Sequence, residues 1–122
     1  MALQYSVTVR NAQLDAVETT VGTAPLLRIY SGSAPANCAA AASGTLLAEA
    51  TLPSDWMAAA SSGSKALSGT WQDASANATG TAGHWRLYDS GGTTCHAQGT
   101  VTATGGGGDM TLDNTSIASA QS

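Results

Sequence analysis

His84-Trp85-Arg86-Leu87-Tyr88-Asp89-Ser90-Gly91-Gly92-Thr93-Thr94-Cys95-His96-Ala97-Gln98-Gly99-Thr100-Val101-Thr102 is the stretch that decides the fold. Two arms of alternating character flank a Gly-Gly centre, the pattern of a β-hairpin. In the first arm Trp85 and Leu87 share one face, while His84, Arg86 and Tyr88 share the other. In the second arm Cys95, Ala97 and Val101 oppose His96, Gln98 and Thr100. Side chains of one strand face alternate with period two, so register decides which residues meet. A two-residue Gly91-Gly92 turn would set Leu87 against His96 and mix the faces. A three-residue loop, Ser90-Gly91-Gly92, sets Leu87 against Cys95 and Trp85 against Ala97, and is the register expected.

Working outward, Ser6 to Val21 predicts one helix. Val7, Leu14, Val17 and Val21 recur at near-helical spacing, with Ser6 as N-cap and Gly22 just past the end. Leu26 to Tyr30 reads as a short strand, closed by Ser31-Gly32-Ser33-Ala34-Pro35. Asn37 to Gly44 is an Ala-rich connection around Cys38. Leu46 to Leu52 alternates, with Leu46, Ala48, Ala50 and Leu52 on one face and Leu47, Glu49 and Thr51 on the other. Asp55 to Lys65 is a long loop holding the adjacent pair Trp56-Met57. Thr70 to Ala74 predicts another strand, carrying Trp71, and Ala76 to Gly83 a turn region. Gly105 to Gly108 is a link or tight turn before a last short strand, Met110 to Leu112, and a tail that keeps Ile117. The sum is a mainly β chain: an antiparallel β-sandwich or jelly-roll-like domain of about six short strands with one N-terminal α-helix. A single domain over 1–122 is expected, with the helix at about 6–21 and the sandwich at about 25–118.

Composition bounds the function. Charged residues are 4 basic and 8 acidic, 10% of the chain, and there is no Phe. A typical domain carries about 25% charged residues. Ala, Gly, Ser and Thr stand in their place, a surface suited to packing against many neighbours. Three Arg and one Lys, scattered through a chain of net charge −4, form no basic stripe. Neither nucleic acid nor an anionic membrane surface is an expected partner. No run approaches the roughly 18 apolar residues of a membrane span. Met1-Ala2-Leu3-Gln4-Tyr5 has neither a basic nor an apolar signal region, so synthesis in a cytoplasm without a signal peptide is expected.

Reactive groups are few. Cys38, His84, Cys95 and His96 invite a metal, but adjacent Cys95 and His96 point to opposite faces of a strand, and structural zinc ligands come in spaced pairs. No metal and no cofactor are expected. No Gly-x-Ser-x-Gly elbow marks a nucleophile, and nothing singles out a pair among six Asp and two Glu. The Gly105–Gly108 run lacks the Lys-Ser/Thr of a phosphate loop. No catalytic residue is named, and a non-enzymatic protein is expected. Cys38 and Cys95 are either two small buried thiols or one disulfide, which would stabilise by about 4 kcal/mol in the chain-entropy picture. Of the three Trp, Trp85 reads as core, Trp71 as either core or surface, and Trp56 with Met57 as the best exposed anchor, for a protein partner or a sugar ring.

Five segments carry a resemblance that spans nearly the whole chain: Val9 to Ala12, Asp15 to Thr20, Pro35 to Ala39, Leu52 to Met57, and Thr93 to His96 continuing through Thr102 to Met110. They resemble a group of small tailed-bacteriophage virion proteins of structural and head-decoration type. The resemblance implies a capsid decoration, or cement, protein located on the virion. Its expected partners are itself, as a symmetric oligomer with a trimer preferred, and the phage major capsid protein or other virion proteins. Expected contact residues are Val7, Leu14, Val17, Val21, Trp56 and Met57. Two alternatives stay open: a tail, neck or fibre adhesin binding host glycans through Trp side chains, and a secreted carbohydrate-binding module.

Overall fold

The computed structural model describes residues 3–121. Helix α1 spans Val7–Val21, and both expected caps form. The Ser6 hydroxyl accepts from the Val9 amide at 3.2 Å. Gly22, at φ +92°, donates its amide to the Glu18 carbonyl at 2.9 Å. A left-handed φ after the last turn is the glycine position of a helix end.

Six strands follow: β1 (Leu26–Ser31), β2 (Leu46–Thr51), β3 (Gly80–Tyr88), β4 (Cys95–Ala103), β5 (Met110–Leu112) and β6 (Ser116–Ile117). The chain is mainly β with one N-terminal helix. All six strands belong to one curled sheet, a half-barrel of order β2-β1-β3-β4-β5, with β6 on the starting end of β3. Curling lets one sheet supply the layers that two facing sheets would supply in a sandwich. Pairing is antiparallel except between β4 and β5, which run parallel with Val101 opposite Met110.

Parallel neighbours ordinarily need a crossover of a dozen or more residues. Here Gly105 to Gly108 brings the chain back in fewer. Gly105 and Gly107 take φ of +89° and +80°. A Cβ on Gly106 or Gly108 would lie 2.8 Å from Thr102 side-chain atoms. The return is pinned by Gly108 N–H to Thr102 Oγ1 and Asp109 N–H to Thr100 Oγ1, both at 3.0 Å.

The central hairpin keeps its expected faces from Ala97 onward, but not its expected register, and Cys95 and His96 exchange faces. Leu87 opposes Ala97, Trp85 opposes Gly99, and Tyr88 opposes Cys95, with a bulge at His96. The cause is Asp89. Its carboxylate accepts the amides of Thr93 and Thr94, and its own amide donates to the Thr94 carbonyl. That carboxylate-capped loop closes six residues rather than three. The shift by two leaves Ala97 and the residues after it on their faces, while the bulge carries Cys95 to the Arg86 and Tyr88 face and His96 to the opposite one.

Three further segments depart from expectation. No strand forms over Thr70–Ala74. Instead Asp73 accepts the outward Glu49 amide of edge strand β2 at 2.9 Å, so a carboxylate takes the place of a strand. Leu47, expected opposite Leu46 and Ala48, is fully buried because a bulge beside Ile29 and Tyr30 turns it inward. The turn region expected up to Gly83 is strand from Gly80 onward. Its small residues reflect close approach: a Cβ on Gly83 would sit 2.2 Å from the Gly32 carbonyl oxygen.

Two apolar clusters form the core. Ile29, Leu47, Ala82, Val101 and Ile117 make one with Ala76. Val21, Leu52, Trp56 and Leu87 make the other. Trp85 packs against both.

Candidate functional site

Trp56, the expected exposed anchor, is 2% exposed. Its indole N–H donates to the Gly22 carbonyl at 2.9 Å, and its ring lies tilted against Trp71 at 5.9 Å. It therefore anchors the helix end to the sheet instead of offering itself to a partner. The adjacent Met57 is half-buried against the same cluster.

The helix face expected to act as one stripe is divided. Val21 is buried and Leu14 half-buried, whereas Val7 and Val17 are exposed. The division follows from how α1 is held. Asp15 accepts from the Ala60 amide and from Lys65 Nζ, Asn11 accepts from the Gly63 amide, and Lys65 also reaches Glu18. These polar side chains tie the helix to the small hairpin of residues 57–67, where Met57 bridges Leu67 and Ser61 bridges Ser64. The ties leave Val7 and Val17 exposed, and Val9, Tyr5 and Leu3 are exposed as well. The N-terminal arm and helix thus carry five exposed large apolar side chains.

The sheet face that carries His84, Arg86 and Tyr88 is buried as deeply as the apolar core. His84 and Arg86 are 0% and 1% exposed, and Tyr30 and Tyr88 are buried beside them. The cover is the segment from Gly32 to Ser43, which forms no strand of its own. Three side chains hold it by its carbonyls. His84 Nδ1–H donates to Gly32 O at 2.9 Å, and Gln98 Nε2 donates to Pro35 O at 2.7 Å. Arg86 Nη2 donates to Cys38 O at 2.8 Å and to Ala40 O at 2.9 Å. The small side chains of Cys38, Ala39 and Ala40 leave two carbonyls of this stretch free to approach the guanidinium closely. Among the described residues no carboxylate pairs with Arg86. Its charge is met by those carbonyls and by the Tyr88 ring, 5.5 Å from Cζ. Arg28 lies over the same ring at 4.6 Å while its Nε pairs with Glu49. His84 stacks on Tyr30 with 5.2 Å between centroids.

Between cover and sheet lies a cleft of about 320 Å³, lined by Arg28, Tyr30, Cys38, Arg86, Tyr88 and Cys95 among others. The two cysteines, far apart in the chain, meet here. Burial, together with the neighbouring Cys95, pushes the Cys38 thiol up. Cys95 in turn donates to the Ala97 carbonyl at 3.3 Å. Burial and the neighbouring Tyr30 push the Tyr88 phenol up as well. The four side chains weighed as metal ligands do not converge: His84 is engaged by Gly32 and Tyr30, and His96 lies under α1 near Val17 and Val21. The importance of Arg86 and of its cover was hidden by the alternation itself, which shows only that Trp85 and Leu87 oppose it. The available signal was an arginine in mid-strand of a chain with so few cations, opposite a long uncharged Ala-rich segment.

The hollow of the half-barrel forms a second concavity, of about 350 Å³. Leu27, Ile29 and Met110 floor it; Trp71, Asn114 and Gln121 stand among its lining residues. Trp71 is half-buried, with its indole N–H on the Ser68 carbonyl. Comparison with protein-family models, curated proteins and solved structures finds no match for this chain.

Proposed function

We propose that this chain is a non-enzymatic bacteriophage virion structural protein, a capsid decoration or cement protein that bridges capsid subunits as a symmetric oligomer, with a trimer preferred. The observation that carries this reading is the set of exposed apolar side chains Leu3, Tyr5, Val7, Val9 and Val17 in one N-terminal segment of a chain with few charges. Large apolar side chains left in solvent are available for burial against a partner. A surface poor in ions also loses little by desolvation when it is packed against neighbours. Many copies, each making a modest contact, then bind durably through multivalency. The sequence resemblance to phage head-decoration proteins supports the same reading.

Immunogold electron microscopy of intact virions tests it. Label spread over the heads is the expected result. Label at the neck, tail or fibres overturns the decoration role in favour of an adhesin.

A second reading is supported by the hollow that contains Trp71. An aromatic ring lining the same hollow as the amides of Asn114 and Gln121 is the equipment of a sugar site. This reading covers both a tail adhesin and a secreted carbohydrate-binding module. It requires glycan-array binding that Trp71→Ala abolishes while the far-ultraviolet circular dichroism spectrum is unchanged.

A further inference from the structure

We propose that Cys38 and Cys95 form a redox-controlled latch, a disulfide that locks the Gly32–Ser43 cover onto the buried face of the sheet. The inference does not depend on a virion role, because it rests on the fold alone.

These are the chain's two cysteines, and the fold brings them from different elements into one cleft. Each is held in place. Cys95 faces Tyr88 across the β3–β4 ladder, and Cys38 is fixed through its own carbonyl by Arg86. Both residues line that one cleft, beside Arg86 and Tyr88. Both are half-buried, so a small oxidant has access that a protein thiol lacks.

The cover has a need for such a link. It contributes no strand to the sheet ladder, and its attachments to the face below come from His84, Arg86 and Gln98 side chains. Segments held by few bonds open locally at low free energy. A covalent bond between Cys38 in the middle of the cover and Cys95 on the sheet removes that opening.

The chemistry is thiol–disulfide exchange with a low-molecular-weight disulfide. One cysteine, as thiolate, attacks a sulfur of the small disulfide and releases one small thiolate, which takes up the proton. The second cysteine, also as thiolate, attacks the mixed disulfide and releases the second small thiolate, which is protonated in the same way. The protein thiols are oxidised by two electrons and the small disulfide is reduced to two thiols. In a reducing cytoplasm the latch stays open, and it closes in an oxidising medium.

The test uses the whole chain, incubated with oxidised glutathione, denatured without reductant, alkylated and weighed. The expected product has lost two hydrogen atoms and takes up no alkyl group until it is reduced. Its thermal midpoint falls by about 15 °C on reduction. Proteolysis within residues 36–43 accelerates on reduction, and Cys38→Ser and Cys95→Ser each abolish both reductant effects. Two alkylated thiols after that incubation overturn the proposal, as do stable glutathione adducts or chains cross-linked to one another. The mass measurement on the unaltered protein decides the matter even if a serine variant fails to fold.

Discussion

Trp56→Ala removes the side chain that joins the helix, the loop and the sheet. Trp56 is 2% exposed and packs with Val21, Leu52 and Leu87. Taking roughly 200 Å² of apolar surface out of contact at about 25 cal/mol per Å² gives about 5 kcal/mol as an upper figure. Measured aromatic-to-alanine losses in cores run about 3–5 kcal/mol, so about 4 kcal/mol is expected here. The lost bond to the Gly22 carbonyl adds little, since Gly22 is half-buried and water can reach it. Urea unfolding followed by far-ultraviolet circular dichroism measures the change without relying on tryptophan emission. The midpoint should fall with little change of slope, and the thermal midpoint should drop by about 15 °C. Trp56→Phe keeps most of the packing and should lose about 1–2 kcal/mol. A Trp56→Ala loss within about 0.5 kcal/mol is what an exposed residue would give, and it would refute the placement of this side chain in the core.

Arg86→Met should cost about 3 kcal/mol, because two charge-assisted bonds to Cys38 and Ala40 are lost; faster amide exchange confined to the Gly32–Ser43 cover is the diagnostic, and uniform exchange would count against it. Gly83→Ala should abolish soluble expression, since its Cβ would meet the Gly32 carbonyl at 2.2 Å, whereas Gly91→Ala, whose nearest neighbour is 3.7 Å away, should express normally. Equal behaviour of the two would show that β3 and Gly32 are not in contact. The helix tie gives a pH dependence. Lys65 and the Ala60 amide hold Asp15 below the usual carboxylate range, so the folded state binds this proton less readily than the unfolded one. The tie is therefore complete above the ordinary carboxylate pKa and is lost as pH falls through the depressed value. Asp15 likewise raises Lys65, so the tie is lost again as pH rises through that raised value. Amide exchange at Ala60 and Gly63 should speed up at both extremes, and Asp15→Asn should remove the acid limb; a flat profile in the parent chain would sink the argument.

Local signals carried much of the architecture. Ser6 and Gly22 mark the helix ends because cap geometry involves only residues within one turn. Strand faces in the central hairpin are legible from alternation except at Cys95 and His96, which exchange faces at the bulge beside the Asp89 loop. The candidate sites were less legible. Trp56 beside Met57 after a proline looks like a surface anchor, and nothing within the loop shows that Gly22, far away in the chain, offers it a carbonyl.

The sequence by itself determined the helix, most strand positions and the pairing of Trp85 with Leu87 on one face. It determined a surface almost without charge as well. These follow from propensities and periodicities that act over a few residues. Only the tertiary structure decided which face of the sheet is the drier, where the parallel strand lies, and that Cys38 meets Cys95. Period-two alternation separates two faces but does not say what covers each one. An Ala-rich segment carries no apolar stripe to announce its docking. It binds by backbone carbonyls, and every residue has one of those, so its place becomes visible only when Arg86, His84 and Gln98 are seen to reach it.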